Sequence, residues 1–175
     1  MKIALSGKGG VGKSTVSALL CHYLKEQGLS VLAVDADPDA NLARSLGVAK
    51  SDYENISSIS KERALIEERT GAKVRQYGQI FSLNPKVADI AANYGHHYRG
   101  IDLLVLGGAD RAGAGCACPE NVLLRSLLAH LLIERDQCLV IDTEAGIEHL
   151  GRATAESVDA LIVVLEASES SIETA

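Results

Sequence analysis

The stretch GKGGVGKST, residues 7–15, constrains this chain more than any other. It fits the pattern G-x-x-x-x-G-K-[ST], with Gly7, Gly12, Lys13 and Ser14 in register. An apolar run, KIALSG (2–7), leads into it, and a helical pattern leaves it. Glycines at 7, 9, 10 and 12 let backbone N–H groups converge on phosphate oxygens without side-chain clash. The helix that follows adds partial positive charge at its N-terminus. Lys13 is expected to reach the β and γ phosphates, and the Ser14 hydroxyl to bind Mg²⁺. Gly7, Lys8, Gly9, Gly10, Val11, Gly12, Lys13, Ser14 and Thr15 thus form one candidate nucleotide-binding set.

A strand–loop–helix opening implies an α/β chain, and the remaining apolar runs agree. SVLAVDA (30–36), IDLLVLG (101–107), QCLVIDT (137–143) and DALIVVLE (159–166) are continuous rather than alternating, as in strands buried on both faces. Between them lie helical patterns. Val16, Leu19, Leu20, Tyr23 and Leu24 form one apolar stripe, ended by Gly28. Pro119 opens another helix, carrying Val122, Leu123, Leu127, Leu131 and Leu132. The alternation predicts a mostly parallel sheet with helices on both faces. Residues 50–98 are less regular: ISKERALIEERTG reads as a charged surface helix ending at Gly71, and GQIFSLNP (78–85) as a further strand. Residues 1–175 read as one domain, and EASESSIETA as the start of a helix, so a further C-terminal part is expected.

Composition narrows the function. With 47% hydrophobic and 23% charged residues the chain is globular. A net charge of −6 argues against nucleic-acid binding through general basicity. Aromatics at 3% leave little for base stacking. No apolar run is long enough to span a bilayer, and the N-terminus reads as a buried strand rather than a signal peptide. A cytoplasmic protein with reduced thiols is expected.

Two stretches supply carboxylates. VLAVDADPDANL ends a strand in Asp35, Asp37 and Asp39, where α/β ligands bind. Asp39 is placed to cap the next helix, ANLARSLG. CLVIDTEAGIEH puts Asp142 at the end of another apolar strand. With these, KGGVGKST resembles the deviant-Walker P-loop ATPases, the class that includes the nitrogenase iron protein; Lys8 stands at that family's signature lysine. The resemblance implies an ATP-bound dimer in which Lys8 reaches the partner's nucleotide, as an arginine finger does. It also implies that Asp37 orients the attacking water, that Asp35 and Asp142 hold the Mg²⁺ shell with Ser14, and that Gly146 lies near the γ-phosphate. The implied catalytic residues are Lys8, Lys13 and Asp37.

AGAGCACPEN (112–121) places two thiols one residue apart at a helix start. The dipole and free amides there favour thiolate at Cys118, the metal-binding form. Cys116 and Cys118 fill only half of a tetrahedral site; a second subunit across a two-fold axis would bring the other half. The plainer alternative is two small residues packed in a glycine-rich turn. GCACPENVLLRSLLAHLL and IDTEAGIEHLGR together resemble the accessory ATPases that mature nickel carbon monoxide dehydrogenase. That resemblance implies ATP or ADP with Mg²⁺ in the loop, Ni²⁺ or Zn²⁺ at the cysteine pair, a homodimer, and nickel carbon monoxide dehydrogenase as client, with neither nucleic acid nor membrane as partner. Thiolates alone do not select among Zn²⁺, Cu(I), Ni²⁺ and iron–sulfur clusters.

Two other functions compete. An iron–sulfur electron-transfer ATPase would resemble the nitrogenase iron protein. A partition or division-site ATPase would act as a positioning switch, against which the acidic charge and the Cys-x-Cys segment count. Cys21 and Cys138 read as packed hydrophobes, and His96 and His97 as loop residues rather than a chelating pair. His149, seven residues beyond Asp142, reads as a helix-surface residue or a sensor of nucleotide state.

Overall fold

The computed structural model describes residues 1–74, 78–107, 119–134, 137–143 and 158–167. In chain order these form β1 (Lys2–Ser6), α1 (Lys13–Glu26), β2 (Val31–Ala36), α2 (Leu42–Ser45), α3 (Lys50–Tyr53), a 3-10 turn at Ile59–Lys61, α4 (Arg63–Thr70), α5 (Ile90–Tyr94), β3 (His96–Tyr98), β4 (Ile101–Val105), α6 (Pro119–Glu134), β5 (Cys138–Thr143) and β6 (Ala160–Val163). One sheet runs β3-β4-β2-β5-β1-β6. Every pairing is parallel except β3 with β4.

Alternate residues of each strand feed two cores. Ala4, Leu32, Val34, Leu104, Leu139 and Ile141 pack with α4 and α6 on one face. Ile3, Leu5, Val31, Ala33, Leu103 and Val140 pack with α1 and α2 on the other. Both faces are covered, which is why the central strands carry unbroken apolar runs. β6 departs from the expectation of full burial: Leu161 and Val163 are exposed, and only Ile162 and Val164 join a core. Among the described residues β6 is an edge strand, and no described helix covers the face that carries Leu161 and Val163.

Order along the sheet makes the site. β1 leads through α1 to β2, but β5 inserts between them. The carboxyl ends of β1, β5 and β2 therefore lie side by side, the position where open parallel sheets bind ligands.

Four local expectations are corrected. The inward face of α1 is Ser17, Ala18, Cys21 and Leu24, whereas Val16, Leu19 and Tyr23 are exposed. The rotation is set by Lys13, which the loop holds buried at the helix start, and small side chains let the helix lie close to the sheet. Residues 78–85 form no strand: Ser82 N–H donates to the Thr70 carbonyl, while Ile80 and Leu83 point to solvent. The charged segment forms the expected helix ending at Gly71, but it starts only at Arg63, and its inner side, Leu65 and Ile66, joins Ile59 of the preceding turn in the core. His96 and His97 lie on the edge strand β3 rather than in a loop, and His97 Nδ1 is 2.9 Å from Asp102 Oδ1.

Candidate nucleotide site

The loop leaves β1 through Gly7, with φ at 151°. A Cβ there would run into the Val164 carbonyl oxygen. Val164 N–H in turn donates to the Ser6 carbonyl at 2.8 Å, pinning the loop's base to the end of β6. Gly12 enters α1 with φ at 94°, a conformation costly for any other residue. Among the described residues, no atom beyond the immediate chain neighbours lies within 4 Å of where a Cβ would sit on Gly9, Gly10 or Gly12. This open side of the loop has room for a phosphate chain. Lys8, Gly9, Gly10, Gly12 and Thr15 are exposed, while Val11 and Ser14 are half-buried.

Lys13 is 5% exposed, so its ammonium needs partners. Its Nζ lies 3.7 Å from Asp37 Oδ2 and donates to the Lys8 carbonyl at 3.4 Å. Asp37 sits in a turn closed by Ala40 N–H on the Asp37 carbonyl at 3.0 Å. Asp35, fully buried, uses both oxygens on this segment: Oδ1 accepts from Asp37 N–H at 3.2 Å and Oδ2 from Leu42 N–H at 2.9 Å. The cap expected of Asp39 is thus made by Asp35, because the end of β2 points straight at the first amide of α2. Asp39 instead donates its N–H to Asp37 Oδ1 at 2.9 Å.

Asp142 is different. It is fully buried, yet among the described residues neither of its oxygens has a hydrogen-bond partner. It pairs in register with Asp35 of β2 on one side and Leu5 of β1 on the other. Burial raises its pKa; the hydroxyls of Ser14 and Ser17 and the charge of Lys13 oppose this, and Asp37 adds to it. Asp35 is pushed up to about 7, chiefly by burial and further by Asp142, against the pull of the Leu42 and Asp37 amides. Two buried carboxylates on adjacent strands with one lysine nearby are a strong demand for added positive charge. Unused carboxylate oxygens beside the Ser14 hydroxyl are hard oxygen donors of the kind Mg²⁺ takes. The residues present therefore fit a magnesium–nucleotide complex.

The fold thus gathers Lys13, Asp35, Asp37 and Asp142 at the mouth of the glycine loop. Cys116, Cys118, Gly146 and His149 lie outside the described residues. Among the described residues no group of three or more His, Cys, Asp and Glu side chains could hold a metal ion. Cys21 and Cys138 are buried among apolar neighbours, as expected. Two polar residues escaped the sequence reading. Thr143 Oγ1 donates to the Leu5 carbonyl at 2.9 Å and ties β5 to β1 beside Asp142. Ser17, fully buried, has no partner for its hydroxyl among the described residues. Neither carries a spacing signal; each matters only through what the sheet brings near it.

The chain is 49% identical over 175 residues to the carbon monoxide dehydrogenase accessory protein CooC of Rhodospirillum rubrum, covering all of this chain and 66% of that one. It is 46% identical over 175 residues to an uncharacterized ATP-binding protein of Methanocaldococcus jannaschii, again covering all of this chain and 66% of that one. The chain therefore spans about two thirds of the length of these relatives. In fold it is similar to cobyrinic acid a,c-diamide synthase from Mycobacterium smegmatis, solved with bound ADP and magnesium, at a TM-score of 0.60 and 23% identity over 99% of this chain and 66% of that one. The matching family model runs from residue 2 to residue 170, across the glycine loop and all three aspartates, and the chain belongs to the CobQ/CobB/MinD/ParA nucleotide binding domain family.

Proposed function

We propose that this chain is the ATP-hydrolysing part of an accessory protein that delivers nickel to carbon monoxide dehydrogenase in the cytoplasm. It works as a homodimer whose assembly is controlled by the bound nucleotide. The observation that carries the ATPase reading is the convergence of Lys13, Asp37 and the unpaired Asp142 carboxylate beside an open glycine loop. The client is inferred from the 49% identity to CooC.

In this reading the loop amides and Lys13 bind the β and γ phosphates. Lys13 already neutralises Asp37 and exchanges that partner for phosphate when ATP enters. Ser14 and Asp142 would hold Mg²⁺, whereas Asp35, expected in the same shell, spends both oxygens on the Asp37 and Leu42 amides and anchors the segment that carries Asp37. Bound Mg²⁺ offsets charge on the phosphate oxygens. Asp37, released from Lys13, orients a water for in-line attack on the γ-phosphorus. The bond from that phosphorus to the bridging oxygen breaks, ADP leaves with the bridging oxygen, and the water's oxygen stays on the phosphoryl group with both its protons, giving dihydrogen phosphate. Lys8, exposed on the loop, suits a role across the dimer against the partner's phosphates. The metal cargo, Ni²⁺ with Zn²⁺ as competitor, binds the Cys116 and Cys118 thiolates of both subunits, so that nucleotide and cargo share one dimer.

Intact-mass measurement under native conditions, with elemental analysis and with or without ATP, tests this reading. A dimer holding one metal ion, with metal lost and nucleotide kept in Cys116→Ala/Cys118→Ala, is expected. A monomer holding one ion at full affinity overturns the shared site. Visible absorbance with an iron–sulfur EPR signal after anaerobic purification assigns the chain to electron transfer instead.

A further inference from the structure

Ser17 is the fifth residue of α1, one turn beyond Lys13 and Ser14, on the face that packs against the sheet. Its side chain is wholly inside the protein, and its hydroxyl completes no hydrogen bond among the described residues. A helical serine usually turns its hydroxyl back to the carbonyl four residues earlier or out to water. Ser17 does neither within hydrogen-bonding geometry. The other wholly buried carboxylate or hydroxyl oxygens lacking a partner among the described residues are the two of Asp142. These two deficits belong together. α1 lies over β5, and the Ser17 hydroxyl is near enough to favour the ionised form of Asp142. One turn further on, Cys21 feels the same carboxylate: its thiol is pushed up to about 12, mainly by burial and secondly by the charge of Asp142.

A buried donor and a buried acceptor left unpaired side by side cost free energy that a small movement would recover. Asp142 has four acceptor positions, and a cation bound with the nucleotide would not use them all. The remainder would still need a donor, and Ser17 is the buried hydroxyl at hand. We propose that Ser17 is a positioning residue for Mg²⁺: its hydroxyl donates to Asp142 and holds the carboxylate turned toward the ion bound with the nucleotide. Ser17 touches neither nucleotide nor metal. This inference rests on the reading of Asp142 as part of the Mg²⁺ shell.

The test uses the chain as it stands and measures binding of a fluorescent ADP analogue, in EDTA and across a Mg²⁺ titration. Wild type, Ser17→Ala, Ser17→Thr and Asp142→Asn are compared, with thermal unfolding recorded for each. In Ser17→Ala, ADP affinity in EDTA stays within about twofold of wild type, while the Mg²⁺ concentration giving half the affinity gain rises about fivefold, the effect of one lost buried hydrogen bond. Ser17→Thr keeps the hydroxyl and returns the midpoint to within about twofold of wild type. An unchanged Mg²⁺ midpoint in Ser17→Ala overturns the inference even if its melting temperature falls, because the serine is then only packed. Equal loss of ADP affinity in EDTA and in Mg²⁺ overturns it as well. Should Ser17→Ala not fold, Ser17→Cys, of similar size but only a weak donor, takes its place: a raised Mg²⁺ midpoint with wild-type ADP affinity in EDTA supports the positioning role, and an unchanged midpoint overturns it. Asp142→Asn separates the two readings: if it keeps the wild-type response to Mg²⁺, the assignment of the metal shell itself fails.

Discussion

Asp35 at the end of β2 and Asp142 at the end of β5 are register partners in adjacent parallel strands, and both are fully buried. One is satisfied by two backbone amides, the other by no partner among the described residues. Asp35 thereby fastens the segment that holds Asp37, while both oxygens of Asp142 are left unused among the described residues.

The pair gives the nucleotide-free protein a defined pH dependence. Asp35 has a pKa of about 7 in the fold, above the ordinary value of 3.8. The folded state therefore binds the proton more tightly than the unfolded chain does. Its stabilising effect is full below about pH 4 and is lost as pH rises toward 7. Urea unfolding from pH 4 to 8 without nucleotide or Mg²⁺ should show wild type losing stability relative to Asp35→Asn over that window. Parallel profiles for the two proteins would show that Asp35 titrates normally.

Lys13→Ala removes the ammonium that lies beside Asp37 and donates to the Lys8 carbonyl. Loss of a charge-assisted contact to phosphate is expected to weaken ATP binding about 100-fold. Calorimetry with ATP and Mg²⁺ measures it, and wild-type affinity would remove the phosphate-loop assignment.

Asp37→Ala is expected to behave in the opposite way. Lys13 loses a competing partner, so ATP binds at least as tightly as in wild type. Hydrolysis falls about 100-fold or more, since the group that orients water is gone. Phosphate release under saturating ATP checks this, and wild-type turnover excludes the role.

Gly7→Ala places a methyl group against the Val164 carbonyl in a backbone conformation unsuited to alanine. A loss of about 3 kcal/mol in unfolding free energy is expected, together with weaker ATP binding, because the loop's base must shift. Denaturant unfolding gives the first quantity and ATP titration the second.

On α1, Leu24→Ala should cost about 2–4 kcal/mol, whereas Leu19→Ala should stay within about 0.5 kcal/mol. Leu24 is 5% exposed and Leu19 is 65% exposed. Comparable losses at the two positions would mean that Leu19 is covered in solution.

Part of this architecture is legible in the amino-acid sequence itself. The glycine loop, its lysine and serine, and the strands that end in Asp35 and Asp142 depend on local chemistry: backbone freedom at Gly7 and Gly12, and apolar runs that only a doubly covered sheet explains. Rotation of α1, the edge position of β3 and β6, the capping of α2 by Asp35 rather than Asp39, and the buried hydroxyl of Ser17 beside Asp142 are not legible there. Each is set by which strands become neighbours. Inserting β5 between β1 and β2 joins residues more than a hundred positions apart, and no periodicity within a short window carries information about contacts at that separation.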